Sequence, residues 1–249
     1  SVLAPIGLDH QQYLGNTLAE IAGEKAAIIA PGKPVVTAVQ EPEAMAVIEW
    51  TARERLSPLT VARANSGTPR PSLPGPHQIE NAALALETMK QLNALPESAL
   101  IERALKSVQW PGRFERIGTP PLVLDGAHNE HAARVLTATW NEEFPGQKAA
   151  LVFAAAADKQ IRDMIPVFRE IAGEWHLVPC SSPRIMPAED MVALLKNLVS
   201  EPVFIHSSLS EGLRKAVESP LPALAAGSLF LLGDLKALLH RTEKRTTSQ

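Results

Sequence analysis

Apolar positions along this chain follow two rhythms, period two in short runs and period three to four in longer ones. Ser1–Leu8 reads as a buried strand closed by Asp9-His10. Thr17-Leu-Ala-Glu20 has capping-box spacing, with Thr17 as N-cap and Glu20 three residues on. The helix it opens is predicted to run to about Ala30, where Pro31-Gly32 stops it. Lys33–Val39 and Pro58–Ala62 read as strands, with a helix over Pro42–Arg55 between them. Asn65–Pro76, rich in Gly and Pro, reads as a loop, and His77–Leu92 and Glu97–Val108 as amphipathic helices.

The character changes at Trp110-Pro-Gly-Arg113. From about Gly118, short apolar strands alternate with helical patterns: Leu122–Asp125, Ala149–Ala154, Trp175–Val178, Pro202–Ile205 and Ser228–Leu232 are the predicted strands. That alternation marks an α/β chain with a parallel, doubly wound domain. The boundary is placed near residue 117, giving segments 1–117 and 118–249. The second has an ordinary domain size. The first begins inside a sheet and reads as the later part of a larger α/β domain.

Composition narrows the function classes. Of 249 residues, 45% are hydrophobic and 20% charged, which supports a buried core. A net charge of −3 gives no global pull toward nucleic acid or an anionic membrane. Apolar runs such as Ala149–Ala157 and Leu221–Leu232 are far too short to span a bilayer. One cysteine, Cys180, excludes an intramolecular disulfide and disfavours a thiolate zinc site. No signal peptide is visible, so a cytoplasmic monomer acting on small molecules is the expectation. The chain starts at Ser1 rather than Met, and the tail after His240 is polar.

Several residues stand out as candidates for chemistry. Leu18, Ile21, Ala22, Lys25 and Ile29 share one helical face that is apolar apart from Lys25. A lysine there is either paired and snorkelling or chemically altered. His10 ends an apolar strand, where ligands of open α/β sheets collect and an imidazole can bind a metal, but taken alone the residue is better read as a turn histidine bonded to its own backbone. Asp125-Gly-Ala-His-Asn129 joins a strand end to a helix start. Asp125 could accept from ribose hydroxyls and His128 contact phosphate. The same five residues also suit a plain tight turn capped by Asn129. Asn81 sits one turn into a helix and could read a base edge or be a cap remnant. Arg113 at the junction suits polyphosphate or a salt bridge. Asp158-Lys159 follows the strand Leu151–Ala157 at the carboxyl edge shared with Asp125, and could face the cleft or cap the next helix.

The order of these signals is more specific than any one of them. Ile-Gly-Leu-Asp-His10, Leu-Gly-x-Thr17, Ile-Ala-x-Glu-Lys-Ala26 and Pro-Gly-Lys-Pro34 resemble the signature of folylpolyglutamate synthase/dihydrofolate synthase, within the Mur ligase superfamily. His77-Gln-x-x-Asn-Ala-Ala83, Trp110-Pro-Gly-Arg113, Asp125-Gly-Ala-His-Asn129, Ala157-Asp-Lys159, Ser182-Pro-Arg184 and Gly227-Ser-Leu-x-Leu-x-Gly233 follow in register, to about residue 240. The resemblance implies a partial Mur-ligase-type central ATPase domain followed by a Rossmann-like C-terminal domain. It implies ATP-dependent ligation of L-glutamate to a folate or dihydropteroate carboxylate through an acyl phosphate, with ATP and Mg²⁺. His10 would ligate the Mg²⁺, and Lys25 would be carbamylated and join that site. Asn81 and Arg113 would contact ATP, Asp125 its ribose and His128 its phosphates. Asp158, Lys159, Ser182 and Arg184 would lie on the glutamate side. Ala27 stands where Gly is usual, with little expected effect.

The family's phosphate loop is missing: no G-x-x-x-x-G-K-[ST] occurs in these residues. The chain therefore reads as a truncated member, with residues 1–249 expected not to catalyse the reaction alone. Two alternatives compete. One is a Mur-type peptidoglycan ligase acting on a UDP-sugar peptide. The other is a degenerate, non-catalytic nucleotide-binding module. Which of the two folate activities is present is not legible, because the pterin-contacting region lies mostly upstream.

Overall fold

A computed structural model of the chain describes residues 1–9 and 11–246. The chain divides into two compact units, one over Ser1–Gln109 and one from Trp110 onward. His10, the expected metal ligand, lies outside the described residues.

The first unit is built on a parallel sheet of β1 (Val2–Leu3), β2 (Val35–Thr37) and β3 (Leu59–Val61), in that order. Between β1 and β2 lie α1 (Gln11–Leu14) and α2 (Leu18–Ala26), and between β2 and β3 lies α3 (Pro42–Glu54). Helices α4 (His77–Gln91) and α5 (Ser98–Ser107) follow. The central strand shows the period of two directly. Val35 packs with Ile21, Ala44 and Ile48 on one face, and Val36 packs with Leu84 and Ala62 on the other.

β1 is much shorter than the predicted Ser1–Leu8 strand. Its ladder ends at Leu3 opposite Thr37, Pro5 has no N–H to donate, and the Ile6 amide donates to the Gln40 side chain at 2.8 Å. The capping box forms as its spacing predicts: the Glu20 amide donates to Thr17 Oγ1 at 3.2 Å and the Thr17 amide to Glu20 Oε2 at 3.1 Å. The helix stops at Ala26, four residues early, because Ala27, Ile28 and Ile29 turn back onto carbonyls three residues behind them.

Lys25 requires a correction. It is exposed, not buried on an inner face. α2 packs on α3 through Ile21, Ala22 and Ala26, while Leu18, seven residues before Lys25 and on the same line of the helix, is only half-buried. The apolar stripe is therefore narrower than its periodicity suggests, and no burial energy argues for altering this lysine.

The second unit is a six-stranded sheet in the order β4-β5-β9-β6-β7-β8. Its elements are β4 (Glu115–Ile117), β5 (Leu122–Leu124), α6 (Glu130–Glu143), β6 (Ala149–Phe153), α7 (Ile161–Arg169), β7 (Ala172–Leu177), α8 (Ala188–Leu195), β8 (Val203–Ile205), α9 (Leu209–Glu218), β9 (Ala223–Ala226) and α10 (Leu229–Thr246). All pairings are parallel except β4 with β5. Strand β6 alternates faces strictly. Ala149, Leu151 and Phe153 meet α6, α7 and α8, and Ala150, Val152 and Ala154 meet α9 and α10. The handedness rule for parallel crossovers explains this. The chain moves one way along the sheet from β5 to β8, then returns to lay β9 between β5 and β6, so the returning helix must take the other face.

Two elements differ from the sequence reading. Strand β4 has one apolar residue in three, Ile117, so no hydrophobic pattern announces it; its pairing with β5 attaches the segment after Trp110 to the second unit. Ser228–Leu232 is not a strand. The strand is Ala223–Ala226, and the run continues as α10. Gly227, at φ +110°, breaks the apolar stretch in two, and Leu231, Leu232 and Leu235 then bury a helical face.

Candidate functional site

Strands β5, β9, β6 and β7 are mutually parallel, so their carboxyl ends share one edge of the sheet. Each carries a loop with chemistry-bearing residues. Because β9 is inserted out of sequence order, this edge contains the switch in strand order at which open α/β sheets leave a crevice.

The turn after β5 is the most determined part. The Asp125 carboxylate accepts from the Phe114 amide through Oδ2 at 2.8 Å and from the Ala127 amide through Oδ1 at 2.9 Å. Burial raises the Asp125 carboxyl above the ordinary carboxylate value, and the two amides, Arg113 and His128 oppose that rise. The His128 ring nitrogen Nδ1 lies 2.8 Å from the Gly126 carbonyl. A carbonyl only accepts, so Nδ1 carries a proton. Asn129 caps α6, accepting from the Ala132 amide at 2.8 Å. The hydrogen bonds are those of the tight-turn reading: backbone groups hold the Asp125 carboxylate and the His128 ring, and Asn129 caps α6.

Glycine is required beside it. A Cβ at Gly126 would fall 2.6 Å from Leu229 Cδ2 and 2.9 Å from Arg113 Nη1. Arg113 is exposed beside this turn, its Nη1 within 3.5 Å of the Gly112 carbonyl.

The amino-acid-side candidates also come together. Arg184 Nη2 pairs with Asp158 Oδ2 at 2.8 Å, and its guanidinium lies 5.5 Å from the centre of the Phe230 ring. The segment carrying Arg184 is strapped down on two sides. The Ala157 amide donates to the Arg184 carbonyl at 2.8 Å and the Met186 amide to the Ala155 carbonyl at 2.9 Å. Ser181 donates to Asp234 of α10 through its amide at 2.6 Å and its hydroxyl at 2.7 Å. Ser182 Oγ accepts from the Arg184 amide at 3.3 Å. Lys159 is half-buried just after Asp158, its backbone closing a turn onto Ala156 at 3.0 Å.

Sequence reasoning missed Phe230 and Asp234, because both fall in or beside the run read as a strand. A helical reading of Leu229–Leu239 would have placed them one turn apart. Asn81 is exposed on α4 and donates to Gln78 Oε1 at 3.1 Å within its own helix. Asn81 and Lys25 belong to the first unit, and the other described candidates to the second.

Residues 112–230 match the family described as Mur ligase, glutamate ligase domain. The match lies within the second unit. The likeness extends through the first unit as well. Dihydrofolate synthase/folylpolyglutamate synthase of Bacillus subtilis is 34% identical over 96% of this chain and 62% of its own length. Folylpolyglutamate synthase of Lacticaseibacillus casei is 29% identical over 96% of this chain and 61% of its own. The chain thus spans about three fifths of these relatives. Among solved structures, bifunctional folylpolyglutamate synthase/dihydrofolate synthase from Yersinia pestis CO92 superposes with TM-score 0.81 at 28% identity, over 96% of this chain and 61% of that one. Folylpolyglutamate synthase of Mycobacterium tuberculosis, at 23% identity, shares the fold with TM-score 0.84, over 95% and 63% of the two chains. The α/β architecture read from the sequence is therefore the Mur ligase one.

Proposed function

We propose that this chain is the nucleotide- and glutamate-handling portion of an ATP-dependent ligase that joins L-glutamate to a folate or dihydropteroate carboxylate. The observation that carries this reading is the Asp125–Asn129 turn, placed at the switch in strand order of a domain whose relatives are synthases of that name. A structure of the Yersinia pestis relative is described as complexed with AMPPNP and a Mn ion, which supports ATP as the co-substrate here.

A carboxylate resists attack by an amine until phosphorylation makes an oxygen a leaving group. In this reading ATP supplies the phosphoryl group, the glutamate amine attacks the acyl phosphate, and phosphate departs. The chain's own contribution is positioning and charge. Asp125 offers its remaining lone pairs to ribose hydroxyls. His128, its ring held by the Gly126 carbonyl, and Arg113 contact the nucleotide; a nucleotide role for Asn81, in the first unit, rests on the resemblance alone. Arg184, paired with Asp158 and next to the Phe230 ring, suits a carboxylate of the incoming amino acid, with Lys159 following Asp158 and Ser182 two residues before Arg184.

Mg²⁺ would accompany the nucleotide. Among the described residues no group of three or more His, Cys, Asp or Glu could hold a metal ion, so no step here is assigned to one. The proposed roles of His10 and of carbamylated Lys25 rest on the resemblance alone. No described helix is long and apolar enough to cross a membrane.

The test is nucleotide binding followed by ligation. ADP should bind the chain, and Asp125→Ala should weaken it at least about tenfold, the loss of roughly 1.4 kcal/mol. The protein containing this sequence should release ADP when given L-glutamate with tetrahydrofolate or dihydropteroate, and not with a UDP-muramyl peptide. Turnover on the UDP-muramyl substrate instead would overturn the folate reading.

A further inference from the structure

Outside the Asp125 edge, the densest cluster of titratable groups sits at the β8 end of the sheet. His176 of β7 and His206, just past β8, are 4% and 8% exposed. His176 Nε2 lies 3.1 Å from Glu174 Oε1, and His176 Nδ1 lies 2.9 Å from His206 Nε2. Donor and acceptor roles follow from the end of this chain. A carboxylate accepts, so neutral His176 holds its proton on Nε2 and accepts through Nδ1. With both rings neutral, His206 carries its own proton on Nε2. Its Nδ1 is left as an acceptor with no hydrogen-bond partner among the described residues.

Gly212, inside α9, makes room for this ring. A Cβ there would lie 3.0 Å from His206 Cδ2 and 2.3 Å from Val178 Cγ1. Glycine is a poor helix residue, so its presence mid-helix reflects that space. The Cδ2–Cγ side of the ring is against α9, which leaves Cε1 on the far side, and His206 lines a groove of about 820 Å³.

The groove has a definite character. Phe204 and Ile205 are 44% and 52% exposed on it, and Phe204 stacks on His176 at 5.2 Å. Three carboxylates line it, Glu174, Glu211 and Glu218, against one ammonium, Lys215. The carboxylates of α9 stay ionised: the Ser207 hydroxyl holds Glu211 below its ordinary value, and Arg214 does the same for Glu218. The surplus of negative charge favours a cation, the His206 acceptor on the groove suits an N–H donor, and the exposed ring offers a flat apolar seat.

We propose that this groove is a second small-molecule site, separate from the Asp125 edge, that takes an aryl-alkyl ammonium. Its nitrogen donates to His206 Nδ1 among the carboxylates, and its ring lies on Phe204. The site does not depend on the ligase reading, since none of its residues belongs to that machinery.

The experiment is an NMR titration of the ¹⁵N-labelled chain with 2-phenylethylamine, with 3-phenylpropionate as the counterpart of similar shape and opposite charge. The amine should shift the Gly212, Phe204 and His206 signals below about 10 mM, the range in which compounds this small bind. The propionate should not. His206→Phe should weaken the response at least fivefold. Because that variant could disturb folding, Lys215→Ala is the second: removing the exposed ammonium should tighten amine binding two- to threefold, by about half a kcal/mol or slightly more. Equal response to amine and acid would reduce the groove to a hydrophobic surface. No response to the amine, or weaker binding in Lys215→Ala, would overturn the site.

Discussion

Replacing Gly227 by alanine tests the junction of β9 with α10. Two separate costs are built in. The residue sits at φ +110°, a region that L side chains rarely enter, which costs about 1–3 kcal/mol. An added Cβ would also lie 2.6 Å from Phe153 Cε2 and 2.7 Å from the Ala154 carbonyl oxygen. Backbone cannot give way as a side-chain tip can, so overpacking adds another ~1–3 kcal/mol. The sum, roughly 2–6 kcal/mol, is a large part of the ~5–15 kcal/mol that holds an ordinary domain together. Gly146 is the internal control. It also has positive φ, +71°, but nothing lies within 4 Å of its Cβ position, so Gly146→Ala should cost only ~1–2 kcal/mol. Urea unfolding followed by tryptophan fluorescence is suited to the measurement, because Trp140 and Trp175 are fully buried in this unit. Equal losses in the two variants would mean that the Gly227 site is not pressed against β6, and the packing argument would fail.

Three further outcomes are expected. Burial first, and then His176, holds His206 below its ordinary value of 6.5, so the folded state binds its proton less readily than the unfolded state. Its contribution to stability is present above pH 6.5 and is lost as pH falls through the lowered folded value, a slope in the urea midpoint that His206→Phe should flatten. Burial and Asp234 push the Cys180 thiol up to about 12, so a disulfide reagent at pH 8 should label it at least about a hundredfold more slowly than in urea; similar rates in both would contradict its environment. Asp125→Asn keeps one acceptor oxygen but turns an NH₂ toward one of the two amides it now serves, which should cost ~1–3 kcal/mol in the same unfolding assay, and a loss under about half a kcal/mol would show that the clamp is weak.

The sequence by itself determined what local chemistry controls. The Thr17–Glu20 capping box, the Asn129 cap, the short apolar strand of Ala149–Phe153 and the order of motifs along the chain all depend on near neighbours or on local runs. Tertiary structure decided what depends on distant partners. β4 exists because β5 offers it an edge, not because Glu-Arg-Ile favours a strand. Leu221–Leu232 has one polar residue, Ser228, and period alone could not say where strand gives way to helix; the close approach of Gly227 to β6 sets that point. Lys25 lies on an apolar stripe by count, yet only the flank facing α3 is covered. Phe230 meets Arg184, and His206 meets His176, across 46 and 30 residues of chain, and no spacing rule reaches that far. A short-range pattern fixes which way a side chain leaves the backbone, but the packing of whole elements fixes what it meets.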